Sequence, residues 1–206
     1  MAAHLSAVRM RIGFALVAAT LAVLASAPAS QASASGATCY YGTASHPFAP
    51  WGDVASYTLV PGGSFESGAP GWTLAGGARV VYGNESFFVR TASDRYSLAI
   101  PTGGSATTAP FCVSLLRPTI RFFVVNGGSS ASQLRVRVVF RGLLGILGIL
   151  DGGTITAGRA WNVSPVMLAT LNAPLGTRSA QFTFTPADSA GAWRIDDLYV
   201  DPWVNV

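Results

Sequence analysis

The chain of 206 residues contains no lysine, and it has only two cysteines, two histidines and nine acidic residues. All thirteen basic residues are therefore arginine, which we interpret as the codon usage of a GC-rich bacterial genome rather than as phosphate recognition. The arginines form no cluster of the kind that marks a nucleic-acid binder, so the sequence predicts no nucleic-acid partner.

Residues able to support catalysis are also scarce. Glu66 and Glu85 are the only glutamates, His46 is the one histidine outside the N-terminal leader, and there is no Gly-x-Ser-x-Gly segment. A Ser-His-Asp hydrolase needs a histidine base, and a glycosidase needs two carboxylates that flank the bond. Asp196 and Asp197 are adjacent, so on one strand they would point to opposite faces. The sequence therefore predicts a protein that is not an enzyme.

No apolar run reaches the roughly 20 residues that a membrane-spanning helix requires. The run at 12–24 follows Arg9 and Arg11 and precedes a stretch of small residues. This order is typical of a secretory signal peptide, which we predict over residues 1–32. We therefore expect a secreted, extracellular protein with no membrane span in its mature form; the alternative is an uncleaved anchor.

Three sites fit the small-residue rule for signal cleavage, ending at Ala29, Ala32 and Ala34, and we favour cleavage after Ala32 or Ala34. Loss of Arg9 and Arg11 leaves eleven basic residues against nine acidic ones, so the mature chain has a net charge of +2. About 170 residues remain, a common size for one domain with its own core.

The two cysteines, Cys39 and Cys112, both lie beyond the leader. In an oxidising compartment such a pair predicts one disulfide. It would close a loop of about 70 residues and stabilise the fold by roughly 2–4 kcal/mol. The alternative is a metal-binding or catalytic role for the two thiols.

Glycine, proline and serine divide the rest of the chain into short segments. Residues 33–54 are rich in Ala, Ser, Pro and Gly, and we predict an irregular N-terminal arm there. Residues 55–206 alternate short apolar runs with turn residues such as those at 151–153, which predicts an all-β domain, a β-sandwich or jelly roll of two antiparallel sheets. Helical periodicity is confined to one or two turns near Ser164–Leu171. The predicted strands are Ser56–Val60, Ala78–Tyr82, Ser86–Thr91, Ser97–Ile100, Phe111–Leu116, Thr119–Asn126, Gln133–Arg141, Ala160–Val163, Arg178–Thr185 and Trp193–Val200.

Two predicted strands carry arginine on one face. Residues 134–141 place apolar side chains on one face and Arg135 and Arg137 on the other, and Arg121 lies opposite the apolar face of 119–126. If the two strands are neighbours, they form an arginine-rich surface suited to an anionic or polyhydroxylated ligand. The alternative is the solvated outer face of ordinary amphipathic strands.

Residues 142–150, GLLGILGIL, combine six branched aliphatic residues with a glycine at every third position. The run is too short to span a membrane. We predict a buried strand or crossover; the alternative is an exposed patch that touches lipid or a protein partner.

The segments PGGSFESGAPGWTL at 61–74 and WRIDDLYVDP at 193–202 bracket the strand-rich region. Together they resemble the opening FE…GW segment and the closing strand of jelly-roll carbohydrate-binding modules of the galactose-binding-like superfamily. The resemblance covers about residues 56–201, and it departs from the family pattern at Gly62, where the family usually has asparagine.

The resemblance implies a metal site. Such modules often hold a structural calcium where the first and last strands meet. Carried over by motif, the calcium ligands would be Glu66 and one of Asp196 or Asp197, helped by backbone carbonyls. The alternative is that these carboxylates lie at the rim of the domain and pair with arginines.

Sugar recognition needs aromatic rings that stack on the pyranose C–H surface, with planar polar groups beside them. Trp51 and Trp161 lie near predicted loops, and Tyr82 and Asn84 lie in a polar, aromatic loop near strand ends. We predict ligand contacts from these four residues; the alternative for either tryptophan is a role in core packing.

Two function classes remain. The resemblance favours a secreted, non-catalytic protein that binds polysaccharide or a cell-wall glycan, and this class predicts solvent-facing aromatics grouped on one sheet or loop edge. The alternative is a structural envelope or adhesion protein that binds protein partners, which predicts an exposed apolar patch and self-association.

Overall fold

The computed structural model describes residues 42–111, 119–168 and 173–201, and nearly all regular structure within them is β-strand. The predicted signal peptide and both cysteines lie outside the described residues, so the leader and the Cys39–Cys112 disulfide stay predictions. One turn of 3-10 helix occupies Ala49–Trp51. The strands are β1 (Thr58–Leu59), β2 (Thr73–Ala75), β3 (Arg79–Tyr82), β4 (Tyr96–Ile100), β5 (Ser105–Thr107), β6 (Thr119–Asn126), β7 (Leu134–Gly142), β8 (Gly145–Ile155), β9 (Asn162–Val163), β10 (Met167–Leu168), β11 (Ser179–Pro186) and β12 (Trp193–Val200).

These strands form two sheets in which every pairing is antiparallel. The seven-stranded sheet has the order β10-β6-β12-β4-β3, with β1 paired to β12 and β9 to β6, and the five-stranded sheet has the order β2-β5-β11-β7-β8. This arrangement confirms the predicted all-β sandwich of two antiparallel sheets.

The main core lies between the inner faces of the two sheets. In β7 the predicted alternation is confirmed, since Leu134, Val136, Val138 and Phe140 are buried while the residues between them are more exposed. Trp193, at the start of the closing strand, is 1% exposed and packs in the same core. Apolar residues at every second position are thus enough to hold the two layers together.

A second, smaller core lies on the opposite face of the seven-stranded sheet. Phe123 of β6 and Tyr199 of β12 are covered there by Phe48 and Tyr57, and all four side chains are almost fully buried. The Phe48 ring lies 5.0 Å from Tyr57 and 5.6 Å from Phe123, centroid to centroid. The described part of the predicted arm is therefore packed against the sheet.

Three predictions about local structure are wrong. Residues 86–91 form a loop, because the buried Glu85 carboxylate accepts backbone N–H groups that a strand would offer to a neighbour, including that of Val89 at 2.8 Å. Residues 167–168 form β10 against β6 instead of a helical turn. The glycine-rich segment at 151–153 lies inside β8 and does not end it, because a register shift absorbs the extra residue.

The segment 142–150 is extended as predicted, but it is exposed rather than buried. It forms the tip of the β7–β8 hairpin, where Gly142 pairs with Gly145. Leu144 is 98% exposed and Ile149 is 62% exposed. β8 is the last strand of its sheet in the described part of the chain; Leu150 and Ile155 on its inner face pack against the core, whereas Ile146 and Ile149 face solvent.

Candidate functional site

Tyr82 and Asn84, both predicted to contact a ligand, lie at the end of the edge strand β3. Tyr82 pairs with Tyr96 of β4, so the two side chains share one face of the sheet. Their ring centroids are 6.1 Å apart and the rings are nearly perpendicular, at 87°. Tyr82 is 74% exposed and Tyr96 is 41% exposed. The edge of the sheet therefore presents a solvent-facing pair of tyrosines.

A cavity of about 470 Å³ opens beside this tyrosine pair, within the size range of small-molecule sites. Asn84 donates an Nδ2–H to the carbonyl of Glu85 at 2.9 Å, and its buried Oδ1 atom has no hydrogen-bond partner among the described residues. A buried acceptor without a donor is costly, so rotation of this amide toward a ligand hydroxyl would be favourable. The cavity is lined by Tyr82, Gly83, Asn84, Phe88, Ala92, Asp94 and Arg95.

Glu85 and Asp196 fix the loop that forms one wall of the cavity. Glu85 is fully buried, its carboxylate accepts the backbone N–H groups of Phe87 and Val89, and its own N–H donates to Asp196 Oδ2 at 2.9 Å. Burial raises the pKa of Glu85, and the hydrogen bonds from the loop oppose that rise. The closing strand β12 thus anchors the loop whose Phe88 side chain is 45% exposed at the cavity.

Arg194 of β12 supports the loop from the sheet side. Its guanidinium donates to the carbonyl of Gly83 and, at 3.1 Å, to that of Tyr82. The same guanidinium lies 5.5 Å from the centre of the Trp161 ring, a cation–π distance. Trp161 is half-buried, and it reaches the tyrosine site through Arg194 rather than by lining the cavity.

The cavity wall also carries charge. Asp94 is 4% exposed, and its carboxylate accepts a hydrogen bond from Arg90 Nη1 at 3.2 Å. Burial raises the pKa of Asp94, with Arg90 and Arg95 acting to lower it and Glu66 to raise it. Arg95 donates to the carbonyls of Ala92 and Asp94 at 2.8 and 2.7 Å, which holds its planar guanidinium close to the opening. Planar polar groups therefore stand beside the aromatic pair.

Trp51 belongs to a different part of the surface. It is half-buried, and its ring lies 4.8 Å from Phe87 and 5.4 Å from Phe123, centroid to centroid. A second cavity of about 410 Å³ is lined there by His46, Pro47, Pro50, Trp51, Phe87 and Val89. The two predicted tryptophans are thus not brought together with Tyr82 in one cavity.

Arg121 does not lie on an exposed surface, contrary to prediction. It is 8% exposed, its Nη1 atom donates to Asp53 Oδ2 at 2.7 Å, and its Nε and Nη2 atoms donate to the carbonyl of Ser164. The guanidinium also lies 5.0 Å from the centre of the Phe48 ring. Its hydrogen bonds hold the N-terminal arm and the β9–β10 connection, which leaves it unsuited to contact a ligand.

The predicted arginine surface shared by two neighbouring strands is also wrong. Arg121 lies on β6 and Arg135 and Arg137 on β7, and these strands belong to different sheets. Arg135 and Arg137 face outward from the five-stranded sheet, where Arg135 lies 4.0 Å from Asp151 of β8. Arg135 and Arg137 therefore lie on the solvated outer face of an ordinary amphipathic strand, which was the alternative interpretation.

The three predicted calcium ligands differ in the hydrogen bonds that their carboxylates accept. Asp196 accepts hydrogen bonds from the N–H groups of Glu85 and Asp197, both at 2.9 Å. Glu66 Oε1 accepts the N–H groups of Arg95 and Tyr96 at 2.9 and 2.8 Å. Asp197 is 1% exposed, and within the part of the chain that the structure describes neither of its carboxylate oxygens has a hydrogen-bond partner. An orphaned buried carboxylate is the feature that a bound cation would satisfy.

The electrostatics around Asp197 agree with that reading. Burial raises the pKa of Asp197 to about 8, with Arg90 opposing the rise and nearby acidic residues, Glu85, Asp94 and Glu66, adding to it. Burial likewise raises the pKa of Asp196 to about 9, and repulsion from Asp197 adds to the rise. Within the described ranges no three His, Cys, Asp or Glu side chains form a complete metal site, so a calcium here would also need backbone carbonyls.

Sequence reasoning missed Tyr96, Phe88 and Asp94. Tyr96 stands opposite Tyr82 only through the β3–β4 register, and the connection between those strands spans residues 83–95, too long for turn chemistry to set the register. Phe88 was assigned to a strand that does not form. Asp94 gave no local signal, because its burial depends on the fold of the loop around it.

No protein-family model matches the chain, and no curated protein matches it in sequence. Among the described residues no helix is long and apolar enough to cross a membrane.

The fold is similar to that of several solved structures. The enzymatically active domain of tailspike protein 4 from bacteriophage CBA120 matches with a TM-score of 0.52 and 20% identity, over 69% of this chain and 21% of the other. The xylan-binding CBM22-1 domain of Paenibacillus barcinonensis Xyn10C matches with a TM-score of 0.47 and 17% identity, over 67% of this chain and 90% of the other. TmCBM61, solved in complex with beta-1,4-galactotriose, matches with a TM-score of 0.47 and 12% identity, over 69% of this chain and 96% of the other.

These likenesses concern the fold alone. This chain spans about a fifth of the tailspike chain that it matches. Carbohydrate-binding modules are frequent among the similar structures. The two antiparallel sheets that the jelly-roll resemblance implies are present in this structure, which confirms the predicted fold.

Proposed function

We propose that this chain is a secreted, non-catalytic protein that binds an extracellular or cell-wall carbohydrate at the site formed by Tyr82, Tyr96 and Asn84. The observation that carries the proposal is the exposed tyrosine pair beside a cavity that is also lined by Asn84, Asp94 and Arg95. The scarcity of catalytic side chains in the sequence supports the non-catalytic part.

The chemistry of the site suits a sugar. A pyranose offers an apolar C–H face and a rim of hydroxyls, so it needs an aromatic surface with polar groups at the edge. Tyrosine supplies an apolar ring with a polar end, and two perpendicular rings present both a face and an edge to a ligand. The side chains of Asn84, Asp94 and Arg95 would supply the polar groups for the hydroxyls, since all three residues line the cavity.

Carbohydrate is also the ligand class named for the xylan-binding domain and for the beta-1,4-galactotriose complex reported above. Because one fold supports many ligands, we transfer neither sugar to this protein. In the described part of the chain β3 is the last strand at its end of the sheet, so a chain longer than one sugar ring has room to extend past Tyr82, and for that reason we propose a polysaccharide rather than a free monosaccharide.

The test is binding of the exported protein to an array of plant, fungal and bacterial-wall glycans, followed by affinity measurements on the best ligand. We expect Tyr82→Ala and Asn84→Ala each to weaken binding by roughly tenfold, equivalent to about 1.4 kcal/mol. Phe87→Ala is the matched control, since Phe87 is also an exposed aromatic, 42% accessible, but lines the second cavity.

The outcomes separate the two cavities. Loss of binding in Phe87→Ala with full binding in Tyr82→Ala would move the site to the cavity around Trp51. Absence of binding to every glycan on the array would contradict the carbohydrate-binding part of the proposal. Release of reducing ends from a bound glycan would contradict the non-catalytic part.

We also propose a structural calcium at Asp197, with Glu66 and backbone carbonyls as further ligands. The support is the orphaned, fully buried carboxylate of Asp197 and the acidic residues near it. A divalent cation there would neutralise this cluster and connect the loop after β1 to the closing strand β12. Asp196 is a weaker ligand candidate, since backbone N–H groups already occupy its two oxygens.

A further inference from the structure

The tip of the β7–β8 hairpin exposes a group of large aliphatic side chains. Leu143 and Leu144 form its two-residue turn and are 67% and 98% exposed. Ile146 and Ile149, on the outer face of β8, are 56% and 62% exposed. Leu147 and Leu175 complete the group at 42% and 97%. These six residues, which we call the apolar tip, have been assigned no role by the core or by the carbohydrate site.

The apolar tip is held in place by the rest of the fold. The N–H of Arg178 donates to the carbonyl of Arg141 at 2.8 Å, so the loop that carries Leu175 is tied to the hairpin. That loop packs closely enough that a Cβ atom on Gly148 would lie 3.1 Å from Pro174 Cγ. The exposed leucines therefore lie on a segment that is held by contacts with a neighbouring loop, unlike a loop that opens locally because it has few contacts.

The charge next to the tip is mostly positive. Over residues 134–155 and 173–179 the chain has four arginines and one acidic residue. The single acid, Asp151, lies 4.0 Å from Arg135. Arg178 is exposed and Arg141 partly so, and both lie beside the tip, since Arg141 pairs with Ile146 and its carbonyl accepts the N–H of Arg178. Arg137 is exposed further along β7, opposite Asp151. An apolar group bordered by cations complements an anionic lipid surface, where the aliphatic side chains enter the acyl boundary and the guanidinium groups meet the headgroups.

Pairing with a second copy of the chain is less favoured by the strand geometry. β8 is an edge strand of eleven residues, but it has two register shifts against β7, one opposite Phe140–Arg141 and one opposite Val136–Arg137. Such bulges break the regular spacing of backbone groups along the free edge, and they are a common means by which edge strands avoid pairing with other chains. The exposed leucines at the turn would also lie beyond a paired edge.

We propose that the apolar tip, with Arg141 and Arg178, is a docking surface for an anionic phospholipid bilayer. The tip belongs to the five-stranded sheet and the Tyr82 site to the seven-stranded one, so the inference does not depend on the proposed carbohydrate. It gives the protein a means of peripheral attachment to a membrane or envelope surface.

The experiment is co-sedimentation of the exported protein with vesicles of phosphatidylcholine alone and of phosphatidylcholine containing roughly one-third phosphatidylglycerol. We expect binding to the anionic vesicles that weakens as salt is added. Replacing Arg141 and Arg178 by Gln should weaken it about fivefold per arginine, the equivalent of about 1 kcal/mol each. The double variant Leu143→Ser and Leu144→Ser should reduce binding by more than tenfold, because both side chains are removed from the acyl boundary.

Leu168→Ser is the matched control, because Leu168 is a surface leucine, 52% exposed, on β10 of the other sheet. This variant and Tyr82→Ala should bind vesicles as the unmodified protein does. Retained thermal unfolding temperatures in the Leu143 and Leu144 variant would show that the loss is not caused by misfolding.

Each contrary result overturns the proposal in a recognisable way. Absence of binding to both vesicles, or equal binding to both, would remove the anionic membrane as the partner. Unchanged binding in the leucine variant would remove the tip as the contact. Concentration-dependent self-association that the leucine variant abolishes, without vesicle binding, would assign the tip to a second copy of the chain.

Discussion

The Asp53–Arg121 ion pair supports a quantitative prediction about the arm. The side chains are 17% and 9% exposed, and the Arg121 Nη1 to Asp53 Oδ2 distance is 2.7 Å. Replacing Asp53 by Asn leaves a buried guanidinium without its anion, which typically costs about 3–5 kcal/mol. Because Arg121 keeps its hydrogen bonds to the Ser164 carbonyl, we expect the lower end, a loss of about 3 kcal/mol in the free energy of unfolding. Urea unfolding at neutral pH would measure it.

The pH dependence of that loss follows from the pKa of Asp53. Burial acts to raise this pKa, but hydrogen bonds from Tyr57, Arg121 and Ala55, together with the charge of Arg121, outweigh burial and hold it below the ordinary value. A carboxyl whose folded pKa is depressed contributes stability above its unfolded pKa and loses it as the pH falls through the folded pKa. The stability difference between the protein and Asp53→Asn should therefore be constant above about pH 5 and shrink in more acidic solution, below roughly pH 4.

A second variant separates the contribution of the Asp53–Arg121 ion pair from that of the hydrogen bond that the Tyr57 hydroxyl donates to Asp53. Tyr57→Phe removes only the hydroxyl that donates to Asp53 Oδ2 at 2.8 Å, so it should cost about 1 kcal/mol. A loss of less than about 1 kcal/mol in Asp53→Asn, or a loss that stays constant down to roughly pH 2.5, would refute the role assigned to the ion pair. In that case the packing of Phe48 alone would hold the arm.

Other consequences of the structure are open to the same kind of test. Gly83 has φ +112° and a Cβ atom there would lie 2.6 Å from Arg194 Nη2, so Gly83→Ala should lower the free energy of unfolding by at least about 1 kcal/mol in urea unfolding. Calcium at a hundredfold excess over its Kd should stabilise the protein by roughly 2.7 kcal/mol and so raise the melting temperature by about 5–10 °C. Asp197→Asn should abolish this rise. A melting curve that changes neither with calcium nor with EDTA would refute the proposed metal site. Reduction of the exported protein should cost roughly 2–4 kcal/mol if Cys39 and Cys112 are bridged, whereas a thiol assay that finds both cysteines free would end the disulfide prediction.

Local pattern predicted the strands that carry their own signal. In β7 the period-two alternation follows directly from the pleat, so Leu134 to Phe140 point inward wherever the strand lies in the sheet. The same logic failed for residues 86–91, whose apolar and β-branched composition favours a strand. There the buried carboxylate of Glu85 captures the backbone N–H groups, and composition does not report a contact of that kind.

The candidate site was predicted only in part. Tyr82 and Asn84 stood out because aromatic and amide side chains near a strand end are suited to a ligand. Tyr96 did not, because its position opposite Tyr82 is a property of strand register. Arg121 was placed on a surface because alternation tells which residues share a face but not what covers that face.

The amino-acid sequence by itself determined the all-β architecture and the two segments that bracket the sandwich, and it predicted a protein that is not an enzyme. Each depends on composition or on periodicity between near neighbours, which the chain carries wherever it folds. The tertiary structure decided that the arm buries Arg121, that the Asp197 carboxylate has no hydrogen-bond partner among the described residues, and that GLLGILGIL faces solvent. These outcomes depend on contacts between residues far apart in the chain, such as Asp53 with Arg121 and Glu85 with Asp196, and only packing brings such groups together.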